Sequence, residues 1–151
     1  MGVSLSKFGD WGRAGIVLHS IAVKLFPAFV AKFEEDGEFV VDTMKGHIDA
    51  QDLPWTPLSA RTVSLKGGET IYVETGTLRD SIKATKLSSS SGITIFVGPT
   101  ASGGGDAVLM WMEYGNSRVP ARPLIRPTYE EVAPILRGGW ADLLREIITG
   151  G

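Results

Sequence analysis

The chain has 151 residues, 43% hydrophobic and 21% charged, with 15 basic and 17 acidic side chains and a formal net charge of −2. That size suits one domain able to bury its own core without a staple, and the missing basic excess argues against a nucleic-acid-binding domain held by phosphate contacts. It has no cysteine, which excludes disulfides, cysteine-ligated zinc and a thiol nucleophile.

The start Met1-Gly2-Val3-Ser4-Leu5-Ser6 has the outline of a myristoylation signal. So short a pattern matches often by chance, and an ordinary N-terminus is the expectation. Val17, Ile21, Leu25, Phe29 and Phe33 then recur every fourth residue beside Leu18, Ala22, Phe26 and Val30, which predicts an amphipathic helix with a broad apolar face. Lys24 and Lys32 fall off that stripe. Pro27 lacks a backbone donor, which predicts a kink or a division into two helices, and Asp36-Gly37 is a second expected break. Val40, Met44 and Ile48 renew the spacing to about Asp49. The apolar stretch from Ile16 to Val30 carries His19 and Lys24, so the expectation is a soluble protein with no membrane span.

Periodicity dissolves from Gln51 to Val73. Pro54 and Pro57 bracket Trp55, Leu58 to Thr62 suit a short helical turn, and Lys66-Gly67-Gly68 marks a flexible tip. So long an irregular stretch predicts an extended arm that finds its partner outside its own subunit. Thr75-Gly76 reads as a turn, Leu78 to Ile82 as one helical turn, and Ile82 to Leu87 as a strand. Gly92 to Gly98 alternates, with Ile93, Ile95 and Val97 on one face and Thr94 and Phe96 on the other. Ser88 to Gly92 joins the two strands as a loose hairpin loop, and Gly103-Gly104-Gly105 is a further flexible tip. Ala107 to Tyr114 predicts a short helix ending at Gly115. Thr128 and Glu131 have the spacing of a capping box that opens a last helix with Val132, Leu136, Trp140, Leu143 and Ile147 as its stripe. Pro134 and Gly138-Gly139 weaken it locally. The expected fold class is α+β: a small antiparallel sheet packed against long N-terminal and C-terminal helices, in a single domain over 1–151. Its parts are a helical segment 1–50, an arm 51–74, a sheet-and-strap segment 75–127 and a helix 128–151.

No catalytic constellation emerges. His19 and His47 are too far apart for a paired helical metal site, and one surface and one packed histidine is the expectation. Ser81 lacks the context of a nucleophile elbow. Glu34, Glu35, Asp36 and Glu38 lack the spacing of a calcium loop and read as a solvated helix end. Glu130 and Glu131 suit the positive end of the last helix. Gly103 to Gly105 is not followed by the Lys-Ser/Thr of a phosphate loop. No catalytic, metal or cofactor site is expected. The segment that stands out is Arg118-Val119-Pro120-Ala121-Arg122-Pro123-Leu124-Ile125-Arg126-Pro127, with three arginines, three prolines and no acid. The prolines hold it extended, and arginine forks suit interfaces.

The order Trp55-Thr56-Pro57-Leu58-Ser59, Lys66-Gly67, Thr75-Gly76-Thr77-Leu78-Arg79-Asp80-Ser81-Ile82, Val97-Gly98, Glu113-Tyr114-Gly115 and Pro120-Ala121-Arg122-Pro123-Leu124-Ile125 resembles the phage virion-morphogenesis and tail-completion families, including the lambda Z-like group. The resemblance covers about half the chain. The chain departs from the pattern at Leu124, where an aromatic is usual, and at Leu109-Met110-Trp111-Met112, where a Tyr-Ala pair often stands.

The resemblance implies a non-catalytic neck protein of a long-tailed phage, assembled in the bacterial host cytoplasm into the virion. It would form a homo-oligomeric ring at the head–tail junction that completes the tail and makes it competent to join the capsid. Implied partners are further copies of itself, a tail terminator or tail-tube protein, and a head-closure or connector protein, with DNA passing through without specific binding. Interface candidates are Trp55, Leu58, Leu78, Arg79, Tyr114, Arg118, Arg122, Pro123 and Arg126. The alternatives are a tail terminator or minor tail subunit, or a monomeric phage-encoded module directed at the host.

Overall fold

The structure is a computed structural model and describes residues 9–72, 77–89, 92–100 and 105–149. The possible myristoylation signal, the turn at Thr75-Gly76 and most of the Gly103–Gly105 tip lie outside the described residues, as do two of the serines in the hairpin loop. Five helices and one hairpin follow in the order α1 (Trp11–Ala50), α2 (Ala60–Lys66), α3 (Thr77–Ser81), β1 (Ile82–Ser89), β2 (Gly92–Pro99), α4 (Gly105–Tyr114) and α5 (Ile125–Thr149). This is the expected α+β class with long first and last helices.

Helix α1 runs unbroken for 40 residues, through Pro27 and through Asp36-Gly37, a length of about 60 Å. The expected break at Asp36-Gly37 is corrected by packing. A Cβ at position 37 would meet Ile95 Cγ2 at 2.6 Å and Ala84 Cβ at 3.1 Å. The glycine therefore marks where the helix lies flush on the hairpin, and burial there outweighs its weak helix propensity. Nor is the acidic run a solvated helix end. Asp36 is buried and pairs with Lys32 at 2.7 Å, while Glu34 reaches Lys86 on β1 at 2.6 Å. Asp10 opens α1 by accepting from the Arg13 amide, and Gln51 closes it in the left-handed conformation with its amide bonded to the His47 carbonyl.

Strands β1 and β2 pair antiparallel from Ile82 opposite Pro99 to Ser89 opposite Gly92. Ile93, Ile95 and Val97 are half-buried while Thr94 and Phe96 are exposed, the predicted alternation. Val41, Met44 and Ile48 of α1 form the core with Trp55, Ile71, Tyr72, Ile82, Leu109 and Leu124. Above it α5 runs antiparallel along α1. His47 lies by Glu131 at one end, and Phe29 and Phe33 hold Trp140 at centroid distances of 5.4 and 4.7 Å further along. Of the histidines, His19 is exposed and His47 buried. His47 Nδ1 lies 2.8 Å from Asp52 Oδ1.

The start of α5 corrects the predicted cap. The helix begins at Ile125, and Thr128 lies inside it, bonding its own Leu124 carbonyl through Oγ1 at 2.7 Å. Glu113 at the end of α4 caps it instead, accepting from the amides of Leu124, Ile125 and Arg126 at 2.7, 2.8 and 3.0 Å. A carboxylate is well placed there, because the free amides and the helix dipole both favour negative charge. Glu130 and Glu131 consequently sit beyond the first turn.

The expectation about membranes also changes. An 18-residue window of α1 has mean hydropathy 1.8 with none of it buried, so by length and composition α1 suffices to cross a bilayer.

Candidate interaction site

The arm does not reach away from its subunit. Trp55 is buried against Tyr72, ring centroids 5.1 Å apart, and its Nε1 donates to the Pro123 carbonyl at 2.7 Å. Gln51 clamps the far end of the arm, its Oε1 accepting from the Ile71 amide at 2.8 Å and its Nε2 donating to the Ile71 carbonyl at 2.9 Å. Ser59 caps α2 by accepting from the Thr62 amide, and Gly67 ends it at φ +71°. The arm expected to look outside its subunit packs much of its apolar surface on its own chain: Trp55, Ile71 and Tyr72 are core, Leu53 and Leu58 lie against it, and Leu65 stays exposed.

The strap is what they pack against. Prolines 120 and 123 supply no N–H to a sheet ladder, and two of the segment's carbonyls take side-chain donors instead. Tyr72 Oη donates to the Arg122 carbonyl at 2.6 Å, as Trp55 does to that of Pro123. In return Arg122, itself buried, donates through Nε to the Thr56 carbonyl at 2.6 Å and through Nη2 to that of Pro57 at 3.1 Å. Its amide bonds Met112 at 2.6 Å. Gly115 turns the chain out of α4 at φ +72°, where a Cβ would strike the Ala121 amide at 2.8 Å. Asn116 Oδ1 then accepts from the amides of Arg118 and Val119. Burial, with the Glu113 carboxylate adding to it, pushes the Tyr72 hydroxyl well above its ordinary value, so it stays a donor.

Between arm and strap lies a cleft of about 860 Å³. Leu58, Leu78, Arg118 and Arg122 line it together with Tyr72, Met112 and Val119. Four of the nine predicted interface residues therefore meet in one place. Arg118 is exposed and free to reach a partner, whereas Arg122 is engaged in holding the wall. Trp55 and Pro123 lie behind the wall as structural residues. Arg79 turns away to make a two-pronged ion pair with Asp49, which lowers the Asp49 carboxyl below its ordinary value. Tyr114 is 75% exposed beyond α4. Arg126 is on the first turn of α5, its side chain 80% exposed and 3.6 Å from Glu130.

Sequence reasoning missed Tyr72, Gln51 and Glu113. Their partners are 50, 20 and 11–13 residues away, beyond any local spacing. Comparison of the chain with family models, with curated proteins and with solved structures gave no match.

Proposed function

We propose that the protein is a non-catalytic neck or tail-completion subunit of a long-tailed phage, acting as part of a ring at the head–tail junction. The reading rests on the sequence resemblance over residues 54–127. The observation that supports it best is that the stretches carrying the resemblance converge. Leu58 of the arm, Leu78 of the T-G-T-L-R stretch and Arg118 and Arg122 of the strap line one cleft, although 64 positions separate the first from the last. Apolar walls with an exposed arginine at the rim suit a protein segment from a neighbouring subunit or tail protein, since arginine and apolar anchors dominate such contacts. The slightly acidic chain suits a passage for DNA better than a clamp on it.

The test is addition of purified protein to tail tubes of the same phage, followed by sedimentation and by joining to heads. Wild-type protein is expected to bind the tubes and restore joining, and the Arg118→Glu variant, altered at an exposed rim residue, to remain folded but inactive. Protein that ignores the tubes, or a cleft variant as active as wild type, overturns the reading. Isolated protein is expected to leave duplex DNA unshifted in an electrophoretic assay at physiological salt; a tight, salt-sensitive shift would promote Arg118 and Arg126 to phosphate contacts.

A further inference from the structure

Ile16, His19, Val23, Phe26, Val30, Phe33, Gly37, Val41, Met44 and Ile48 follow spacings of three and four along α1, which keeps them on one side of a helix with 3.6 residues per turn. The lower half of this stripe is core: Gly37 lies against the hairpin, and Val41, Met44 and Ile48 are 3%, 3% and 0% exposed. The upper half is uncovered, with Ile16, Val23 and Phe26 at 72%, 60% and 67%. One continuous stripe is thus half occupied by its own chain and half by nothing among the described residues.

Helix α5 extends the uncovered half into a face. Phe33 and Trp140 touch on this side of the two-helix stem. Leu144 and Ile148, 40% and 68% exposed, follow Trp140 on the same flank. From Ile16 to Val30 and from Ala141 to Ile148 this face carries no ionised side chain. The opposite side, where Lys32 passes Gly139, carries Lys24, Glu35, Asp36, Asp142 and Glu146. The asymmetry favours a protein partner for this face, because α5 packed along α1 would bring Asp142 and Glu146 into hydrocarbon beside Lys24.

We propose that this face is the contact between two copies of the chain, packed face to face across a two-fold axis as a four-helix bundle. An uncharged two-helix layer demands an uncharged partner of the same length, and the same face on a second copy provides it. The contact is then isologous, with the knobs of each stripe meeting grooves of the other at the shallow angle such bundles adopt. The exposed apolar side chains amount to several hundred Å², on the order of the ~800 Å² per partner of a standard interface. His19 is the one polar residue in the uncovered stripe, the kind of position that fixes register. The stem is remote from the cleft, so the pairing is independent of the neck reading and leaves the cleft free.

Light scattering over a concentration series tests this on the isolated protein. Wild type is expected at twice the monomer mass of 16.2 kDa. Val23→Glu and, independently on the other helix, Leu144→Glu are each expected to weaken dimerisation at least tenfold. Both positions are exposed in the single chain, and circular dichroism checks that helix content is kept. Lys24→Glu, on the charged side, is expected to change nothing. A wild-type monomer throughout, or an oligomer that neither charge variant alters, overturns the proposal. So does flotation of wild type with phosphatidylcholine vesicles that both variants abolish, which would make the face a lipid-binding surface. None of these readouts involves tail tubes, so failure here leaves the neck reading to its own test.

Discussion

Arg122 and Glu113 each tie together segments that belong to different elements of the fold. Arg122 bonds two arm carbonyls, those of Thr56 and Pro57. Arg122→Lys keeps the charge but loses the fork, and is expected to lower stability by about 1–2 kcal/mol in urea unfolding. Glu113→Ala leaves three amides at the start of α5 without an acceptor. A loss of about 2 kcal/mol is expected, with Glu113→Gln recovering part of it. Tyr72 and Lys32 set the alkaline limit. Burial raises the Tyr72 hydroxyl above 10.0, and the Asp36 hydrogen bond raises the Lys32 ammonium above 10.5. For a group raised on folding, the contribution is whole below its unfolded value and is lost as pH climbs toward the folded one. The urea midpoint is therefore expected to hold at neutral pH and to fall above about pH 10, with a shallower fall in Tyr72→Phe.

At the scale of elements, Gly37 separates propensity from packing. On an exposed helix Gly→Ala stabilises by about 1 kcal/mol. Here the added methyl meets Ile95 and Ala84, so Gly37→Ala is expected to destabilise by about 1–3 kcal/mol in thermal or urea unfolding. A gain in stability would show that the hairpin yields at this contact. The same contrast explains what the sequence could reveal. Helix periodicity located α1 and α5, an apolar run ending at Gly115 located α4, and alternation located β2, because each pattern is written within one element. The expected break at Asp36-Gly37 failed because it read the glycine by propensity, whereas the hairpin that decides it lies 47 and 58 residues on, at Ala84 and Ile95. The Thr128–Glu131 spacing mimicked a capping box while the true cap came from another helix. In the site, the strap and the arm were visible as unusual composition, but not that each was the other's partner. Trp55 and Arg122 therefore looked like surface anchors instead of the bonds that close the wall.

For the whole molecule, the core gathers at one end. Val41, Met44 and Ile48 share it with the arm, hairpin, strap and α4, whereas among the described residues of the chain α1 from Trp11 to Phe26 has only the end of α5 beside it. Twenty-six residues separate Gly37 from Trp11, a rod of roughly 39 Å. Such a rod is a lever with its fulcrum at the glycine. A tilt of about 5° where Gly37 seats on Ile95 swings the tip by roughly 3 Å at that length, more than a side-chain contact tolerates. The fit of one hydrogen atom against the hairpin, with the grip of Phe29 and Phe33 on Trp140, thus sets where the far end of the molecule points.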